Sequence, residues 1–120
     1  MIAGVYNFIY QQGTSLTFLV DYQDNLNQPI DLTGYTARGQ IRRSVRDETP
    51  TATFTILIED PAQGRLRVSL PPESFLTARL SGSTPADQTP FVYDIEIESG
   101  SGDVTRILQG TINVRPEVTR

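Results

Sequence analysis

Apolar and polar side chains alternate along most of this chain, and the alternation limits the possible fold more than any other feature. Within residues 91–98, aromatic or branched aliphatic residues occupy every second position. Successive side chains of a β-strand point to opposite faces, so a period of two is typical of strands with one buried face. Clusters of Gly, Pro, Asn and Asp separate the alternating segments and are typical of turns. The sequence therefore predicts an all-β fold.

About seven segments alternate over a length that suits a strand. The residues that share a face in each are Tyr6, Phe8 and Tyr10; Leu16, Phe18, Val20 and Tyr22; Tyr35, Ala37, Gly39 and Ile41; Ala52, Phe54, Ile56 and Ile58; Leu66, Val68 and Leu70; Phe91, Tyr93, Ile95 and Ile97; and Val104, Arg106, Leu108, Gly110, Ile112 and Val114. Ile107 lies out of phase in the last segment, which predicts a β-bulge near Leu108.

A strand with one apolar face must bury that face away from water, and two sheets packed face to face achieve this. We therefore predict an immunoglobulin-like antiparallel β-sandwich of about seven strands, with a small barrel or a jelly roll as the alternative. The sequence has no Cys and no Trp, which antibody domains use as core hallmarks. The prediction thus concerns the architecture and not membership of the antibody family. We expect residues 1–120 to form a single domain, because their number suits one hydrophobic core.

One short helix is predicted within residues 71–80. Proline suits the first turn of a helix, Glu73 complements the helix dipole, and Leu76 and Leu80 would share a face. The core is predicted from the apolar phase of the strands. Its expected members are Phe18, Val20, Ile41, Phe54, Ile56, Val68, Tyr93, Ile95, Ile97, Ile112 and Val114.

Charge and composition narrow the classes of function. The formal net charge is −4 and the chain has neither His nor Cys. An acidic chain lacks the basic surface that binding to phosphate backbones needs, so nucleic acid is not an expected partner. Zinc sites and nucleophilic catalysis usually need His or Cys, so we expect no enzyme activity and no cofactor. Residues 1–10 resemble neither a signal peptide nor a spanning helix, and no membrane partner is expected.

Asp94, Glu96 and Glu98 form an acidic stripe on the polar face of one predicted strand. Calcium prefers oxygen ligands that converge from a curved loop, whereas these residues lie along a flat strand. A solvated face is therefore the preferred interpretation, and no metal site is expected. In an immunoglobulin-like sheet, Arg38 and Arg42 of the third strand would lie beside this stripe and pair with it.

The N-terminal rings Tyr6, Phe8 and Tyr10 are candidates for a subunit interface. An edge strand can add to the sheet of another subunit while its alternate side chains fill pockets, although packing in the core is the preferred interpretation for these rings. An unprotected edge also tends to find a partner. Arg115 and Arg120, which bound the polar C-terminal segment, complete the set of predicted interface residues.

Several segments carry a resemblance to a known family. Residues 29–38, PIDLTGYTAR, with residues 40–42, QIR, resemble a recurring signature of small structural proteins of tailed-bacteriophage virions. The remaining segments occur in the same order in such proteins. They are AGVYNF (3–8), QG (12–13), Phe18, YDIE (93–96), GTINV (110–114) and PEVTR (116–120).

The layout is also similar to the N-terminal domain of phage baseplate upper proteins, in which a β-sandwich anchors a host-recognition part to the tail. The resemblance implies a virion part, assembled in the bacterial cytoplasm, that contacts tail, baseplate, neck or major capsid subunits and forms a homo-oligomer in the particle. It implies no catalytic residue.

Three hypotheses about function follow. The first is a non-enzymatic virion structural protein, either a tail or baseplate adaptor or a capsid decoration (cement) protein, with a neck component as a further option. The second is a free-standing carbohydrate- or ligand-binding module, for which exposed aromatic rings on a concave face would be the distinguishing feature. The third is an enzyme restricted to carboxylate chemistry.

Overall fold

The computed structural model describes residues 3–76 and 78–119. Nearly all of its regular structure is β. The strands in chain order are β1 (Gly4–Val5), β2 (Phe8–Gln11), β3 (Leu16–Asp21), β4 (Thr36–Arg42), β5 (Ala52–Thr53), β6 (Thr55–Asp60), β7 (Arg65–Leu70), β8 (Thr89–Glu98) and β9 (Val104–Arg115). Within the described ranges, no helix is long and apolar enough to cross a membrane.

The strands form two sheets that pack as a sandwich. The larger sheet has six strands in the order β1-β9-β8-β4-β5, with β2 also paired to β9, and the smaller has the order β3-β7-β6. These orders match the GFCC′ and BED arrangements of immunoglobulin sheets, with β3 in the place of strand B and β9 in the place of strand G. The fold is therefore an immunoglobulin-like β-sandwich, as the sequence predicts.

The N-terminal strands differ from the antiparallel expectation. Both β1 and β2 pair with β9 in parallel, with Gly4 beside Leu108 and Phe8 beside Ile112. The two short strands flank a break at Tyr6 and Asn7, and together they form one edge of the six-stranded sheet. The other pairings in the two sheets are antiparallel.

The fourth predicted strand is in fact two strands in different sheets. β5 pairs with β4, whereas β6 pairs with β7 in the smaller sheet. Phe54 lies at the crossing: its amide donates to the Gly39 carbonyl at 2.9 Å, and its ring is buried. A Cβ at Gly39 would lie 3.0 Å from this ring, so glycine provides the space that the corner needs.

The predicted bulge is present in β9. Ile95 pairs with Leu108 and Glu96 pairs with Arg106, so Ile107 is the extra residue. Ile107 is buried. The out-of-phase isoleucine therefore marks the bulge correctly. The predicted face is wrong before the bulge: the extra residue reverses the phase, so Val104 and Arg106, predicted on one face with Ile112 and Val114, are exposed.

The core lies between the two sheets. Eight of the eleven predicted core residues are buried, and Phe18, Val20 and Ile56 are half-buried against them. The core also contains residues that the prediction omitted. These are Tyr10, Leu32, Leu66, Leu70, Phe75, Phe91 and Ile107.

The helix predicted within residues 71–80 is wrong in its position. The described residues of this segment form turns with hydrogen bonds from residue i+3 to residue i, such as Ser74 N to Pro71 O at 3.1 Å. Phe75 anchors the segment in the core against Tyr10 and Phe91, while Leu76 is exposed. A short segment held by one buried ring gains too little to propagate a helix. The short helix of the fold is instead the 3-10 turn Pro61–Gln63.

Candidate functional site

A shallow groove of about 530 Å³ crosses the outer face of the six-stranded sheet. Its ends are apolar and exposed, with Val5 of β1 on one side and Val45 of the loop after β4 on the other, at 68% and 82% exposure. Val92 of β8 lines the groove between them. Polar and charged side chains from β4, β8 and β9 line the rest. They are Gln40, Arg42, Asp94, Arg106, Gln109 and Thr111.

The acidic stripe is paired with arginines across the strands. Arg38 of β4 contacts Glu96 through Nε at 3.0 Å and Glu98 through Nη1 at 3.1 Å. The prediction of pairing is confirmed for Arg38. Arg42 pairs differently, because it donates to the Gln40 side chain at 2.8 Å and to the Asp47 carbonyl at 3.0 Å.

Asp94 lies inside the groove and pairs with a residue that the prediction did not name. Arg106 Nε lies 3.2 Å from Asp94 Oδ2, because the bulge in β9 places Arg106 diagonally across from it. Burial raises the pKa of Asp94, and the charge of Glu96 raises it further, against the opposing effect of Arg106, Arg42 and Arg38. The groove therefore holds a partly desolvated carboxylate among arginines.

The N-terminal rings point into the sandwich. The Phe8 ring packs edge-on against Phe18 and Tyr93, with centroids 5.7 Å apart in both pairs. Tyr10 is buried against Phe75, and its hydroxyl donates to the Thr14 carbonyl at 2.7 Å. Burial, together with the charges of two glutamates, raises the pKa of Tyr10. Phe8 and Tyr10 thus belong to the fold, in line with the preferred interpretation of these rings.

Tyr6 combines a partly exposed side chain with a firmly bound backbone. The residue is 46% exposed, and its ring stacks on Phe8 with centroids 5.2 Å apart. Its backbone is held firmly, because its amide donates to Gln109 O at 3.0 Å and its carbonyl accepts from the Tyr93 hydroxyl at 2.6 Å. Of the three predicted rings, Tyr6 alone presents a large accessible fraction.

Val5 and Ile9 are the apolar residues that the N-terminal strands leave exposed. Ile9 lies between Phe8 and Tyr10, whose rings point inward, so it occupies the outer face of the sheet. The prediction missed Val5, Val45 and Val92 as site residues. The available signal was the position of Val92, an apolar residue in the otherwise charged phase of its strand.

The C-terminal segment is bound to the turn after β2. Gln12 N donates to the Arg115 carbonyl at 2.9 Å, and Glu117 N donates to the Gln12 side chain at 2.9 Å. Arg115 is half-buried, and its Nε is buried and has no hydrogen-bond partner among the residues that the structure describes. Arg120, the other predicted interface residue of this segment, lies outside the described residues.

The chemistry of these side chains favours binding. The groove offers hydrogen-bond donors and acceptors, compensated charges and exposed valines. Across residues 3–76 and 78–119, no three acidic, His or Cys residues gather in a way that could hold a metal ion.

Comparisons with known proteins add little to these observations. No protein-family model matches the sequence, and no curated protein matches it. Among solved structures, the chain resembles murine CRIg at 9% identity, with 92% of each chain covered and a TM-score of 0.37. It also resembles a family 123 glycoside hydrolase from Clostridium perfringens at 9% identity and a TM-score of 0.37, covering 98% of this chain and 24% of that one. At such scores the strand order of the chain itself carries the assignment of the fold.

Proposed function

We propose that this protein is a non-enzymatic structural protein of a tailed-bacteriophage virion that docks on other virion subunits. The resemblance of residues 29–42 and of the terminal segments to small phage structural proteins supports the class. A tail or baseplate adaptor and a capsid decoration (cement) protein are the two forms of the proposal. Its partners are tail, baseplate, neck or major capsid subunits, and its site of action is the particle.

The groove on the outer face of the six-stranded sheet is the observation that carries the docking role. Protein interfaces are typically enriched in arginine and contain both apolar and polar groups. Val5 and Val45 supply exposed apolar surface, while Arg42 and Arg106 supply the cations. The ends of the groove come from elements far apart in the chain, which only the folded sheet brings together. We propose that a partner subunit lies across this face.

Because Phe8 and Tyr10 pack in the core, other side chains of the N-terminal strands must make any contact with a partner subunit. Deleting residues 1–10 would remove Phe8 and Tyr10 from the core, so a loss of docking after that deletion would report unfolding as well. Val5 and Ile9 are the exposed side chains of these strands and contact the partner in the proposal. Point substitutions there test docking with the core intact.

Mass spectrometry of purified particles is the decisive experiment. We expect the wild-type protein at constant stoichiometry in intact virions, and a reduced copy number for the double variant Val5→Glu/Val45→Glu, because each buried carboxylate would face an apolar contact. Leu26→Glu, at an equally exposed position in the turn after β3, is the matched control and should be incorporated normally.

Two results would contradict the proposal. One is a protein that occurs in the infected-cell lysate and never in intact particles. The other is a double variant that enters particles as well as Leu26→Glu does. Far-UV circular dichroism of each variant confirms that the fold is retained, as expected for exposed positions.

A free-standing carbohydrate- or ligand-binding module is the alternative, and the polar side chains of the groove are the observation in its favour. Sugar-binding surfaces also use aromatic rings, which pack their apolar faces against the ligand. Among the described aromatic residues, Tyr6 alone is largely exposed, and its ring stacks on Phe8. Titration with glycans by calorimetry distinguishes the binding module from the virion protein. A virion protein that only docks on other subunits should show no heat of glycan binding.

A further inference from the structure

The edge of β3 is the least protected strand edge in the described parts of the chain. β3 pairs with β7 on one side, and the strand order of the smaller sheet ends at β3 on the other. In an immunoglobulin sheet strand A lies at this position. Here the N-terminal segment pairs with β9 in the other sheet instead, and the position beside β3 stays open.

Backbone groups along this edge are available for pairing. Tyr22 N donates to Gly64 O at 2.8 Å, so the even-numbered residues of β3 direct their backbone groups to β7. The alternation of an antiparallel pair then directs the amides and carbonyls of Thr17, Leu19 and Asp21 outward. Within residues 3–76 and 78–119, no backbone hydrogen bond is recorded for the outward groups of these three residues.

The other strand edges carry the features that normally prevent association. β6 has a register shift between Ile58 and Asp60 and ends in adjacent carboxylates before Pro61. β5 has two residues, and the N-terminal edge is interrupted between β1 and β2. Bulges, charges, prolines and short length are known means of blocking an edge. β3 is regular over Leu16–Asp21 and has one charged residue.

Burial is incomplete along the same edge. Leu16, Phe18 and Val20 point inward yet stay half-buried, whereas Leu66 and Val68, which pair with them on β7, are buried. The protein exposes 7479 Å². A compact monomer of 120 residues exposes about 6,450 Å², so the surface as a whole, of which the β3 edge is one part, exceeds that value by about 1,000 Å². One partner of a standard interface contributes about 800 Å².

We propose that β3 pairs antiparallel with β3 of a second copy of this chain, so that the two smaller sheets form one continuous sheet across a two-fold axis. Such a pairing has two conditions. The core-facing sides of the two smaller sheets must lie on the same side of the continuous sheet, and the outward-directed backbone groups of one β3 must face those of the other. Pairing Leu19 with Leu19 of the second copy, and Thr17 with Asp21, satisfies both conditions. In this register every outward group of the three residues finds a partner.

The side chains and charges of β3 fit this self-pairing. On the inner face Phe18 lies opposite Val20 of the second copy, and on the outer face two leucines meet, which are favourable cross-strand pairs. Asp21 is already compensated by Arg65, with Nε 2.8 Å from Oδ1. The antiparallel arrangement also places the two Asp21 residues at opposite ends of the paired strands, so like charges do not meet.

Charge substitutions at Leu19 test the proposal. Leu19 is 48% exposed, so Leu19→Lys and Leu19→Glu should fold normally, while each places two like charges on the two-fold axis. We expect analytical ultracentrifugation to show a wild-type dimer, and each variant to raise the dissociation constant by more than about tenfold. An equimolar mixture of the two variants should dimerise again, because opposite charges then meet at the axis.

Leu57→Lys is the matched control. Leu57 lies on the same outer face, in the strand on the far side of β7, and is 58% exposed. It should dimerise like the wild type. A wild-type protein that is monomeric at all concentrations overturns the inference, as do dimers that persist in both Leu19 variants, a mixture that fails to dimerise, or an equal loss in Leu57→Lys. The test uses the isolated protein, so its result is independent of any role in a virion.

Discussion

Ile95→Ala examines the phase of the longest alternating strand. Ile95 is fully buried in β8, between Gly39 of β4 and Leu108 of β9. The substitution removes three carbon groups, each worth about 0.8 kcal/mol, so the lost transfer free energy is about 2.4 kcal/mol. Gly39 has no side chain that can move into the space, and the remaining cavity adds to the cost. We expect a loss of about 3 to 4 kcal/mol in the free energy of unfolding, within the usual range of about 2 to 5 kcal/mol.

Equilibrium denaturation in urea, followed by far-UV circular dichroism, measures this loss in a chain that lacks Trp. Ile95→Val should cost about 0.5 to 1.5 kcal/mol, which gives a graded series. Glu96→Ala is the neighbouring control on the outer face. It removes the exposed ion pair to Arg38, worth about 0.2 to 1 kcal/mol. Equal losses for Ile95→Ala and Glu96→Ala would refute the assignment of the buried face.

Three further predictions concern the N-terminal edge, the groove and metals. Gly110→Ala should release β1 and β2 from β9, because the new Cβ would lie 2.1 Å from the Tyr6 carbonyl oxygen. The Tyr6 amide should then exchange hydrogen faster, and an unchanged exchange rate would contradict the prediction. Asp94→Asn should stabilise the fold at neutral pH, because a raised folded-state pKa means that the ionised carboxylate is disfavoured there. The gain in the free energy of unfolding should shrink as the pH falls through that pKa. A difference between Asp94→Asn and the wild type that stays constant or reverses across pH would contradict the reasoning. Calcium should leave the melting temperature of the wild type and of Glu96→Ala unchanged. A rise of several degrees that is lost in Glu96→Ala would contradict the expectation that the acidic stripe binds no metal.

Local patterns in the sequence correctly predict most of the strands, most of their buried faces and the bulge at Ile107. The exceptions are the fourth predicted strand, which divides into β5 and β6, and the start of β9, where Val104 and Arg106 are exposed. Each of the correct predictions depends on neighbouring residues alone, since the direction of a side chain follows from its position within the strand. The pairing of Arg38 with the acidic stripe was also accessible, because the expected neighbours of an immunoglobulin-like sheet place the two strands side by side.

Contacts between distant segments decide the features that local sequence patterns do not predict. The turn pattern of residues 71–80 includes residues suited to a helix, yet burial of Phe75 between Tyr10 and Phe91 determines its path. The groove likewise joins Val5 and Val45, which are forty residues apart in the chain. A pattern of single residues contains no information about such distant neighbours.

The sequence by itself determined most of the strand residues and, except at the start of β9, which face of each strand is buried. Only the tertiary structure decided how the strands divide between the sheets: the crossing of the chain at Phe54, the parallel pairing of the N-terminal strands with β9, and the open edge of β3. The physical reason lies in the hydrogen bonds of a sheet, which join backbone groups common to all residues. Strand partners are therefore selected by the joint closure of both sheets over one core, and not by the side chains of any single segment.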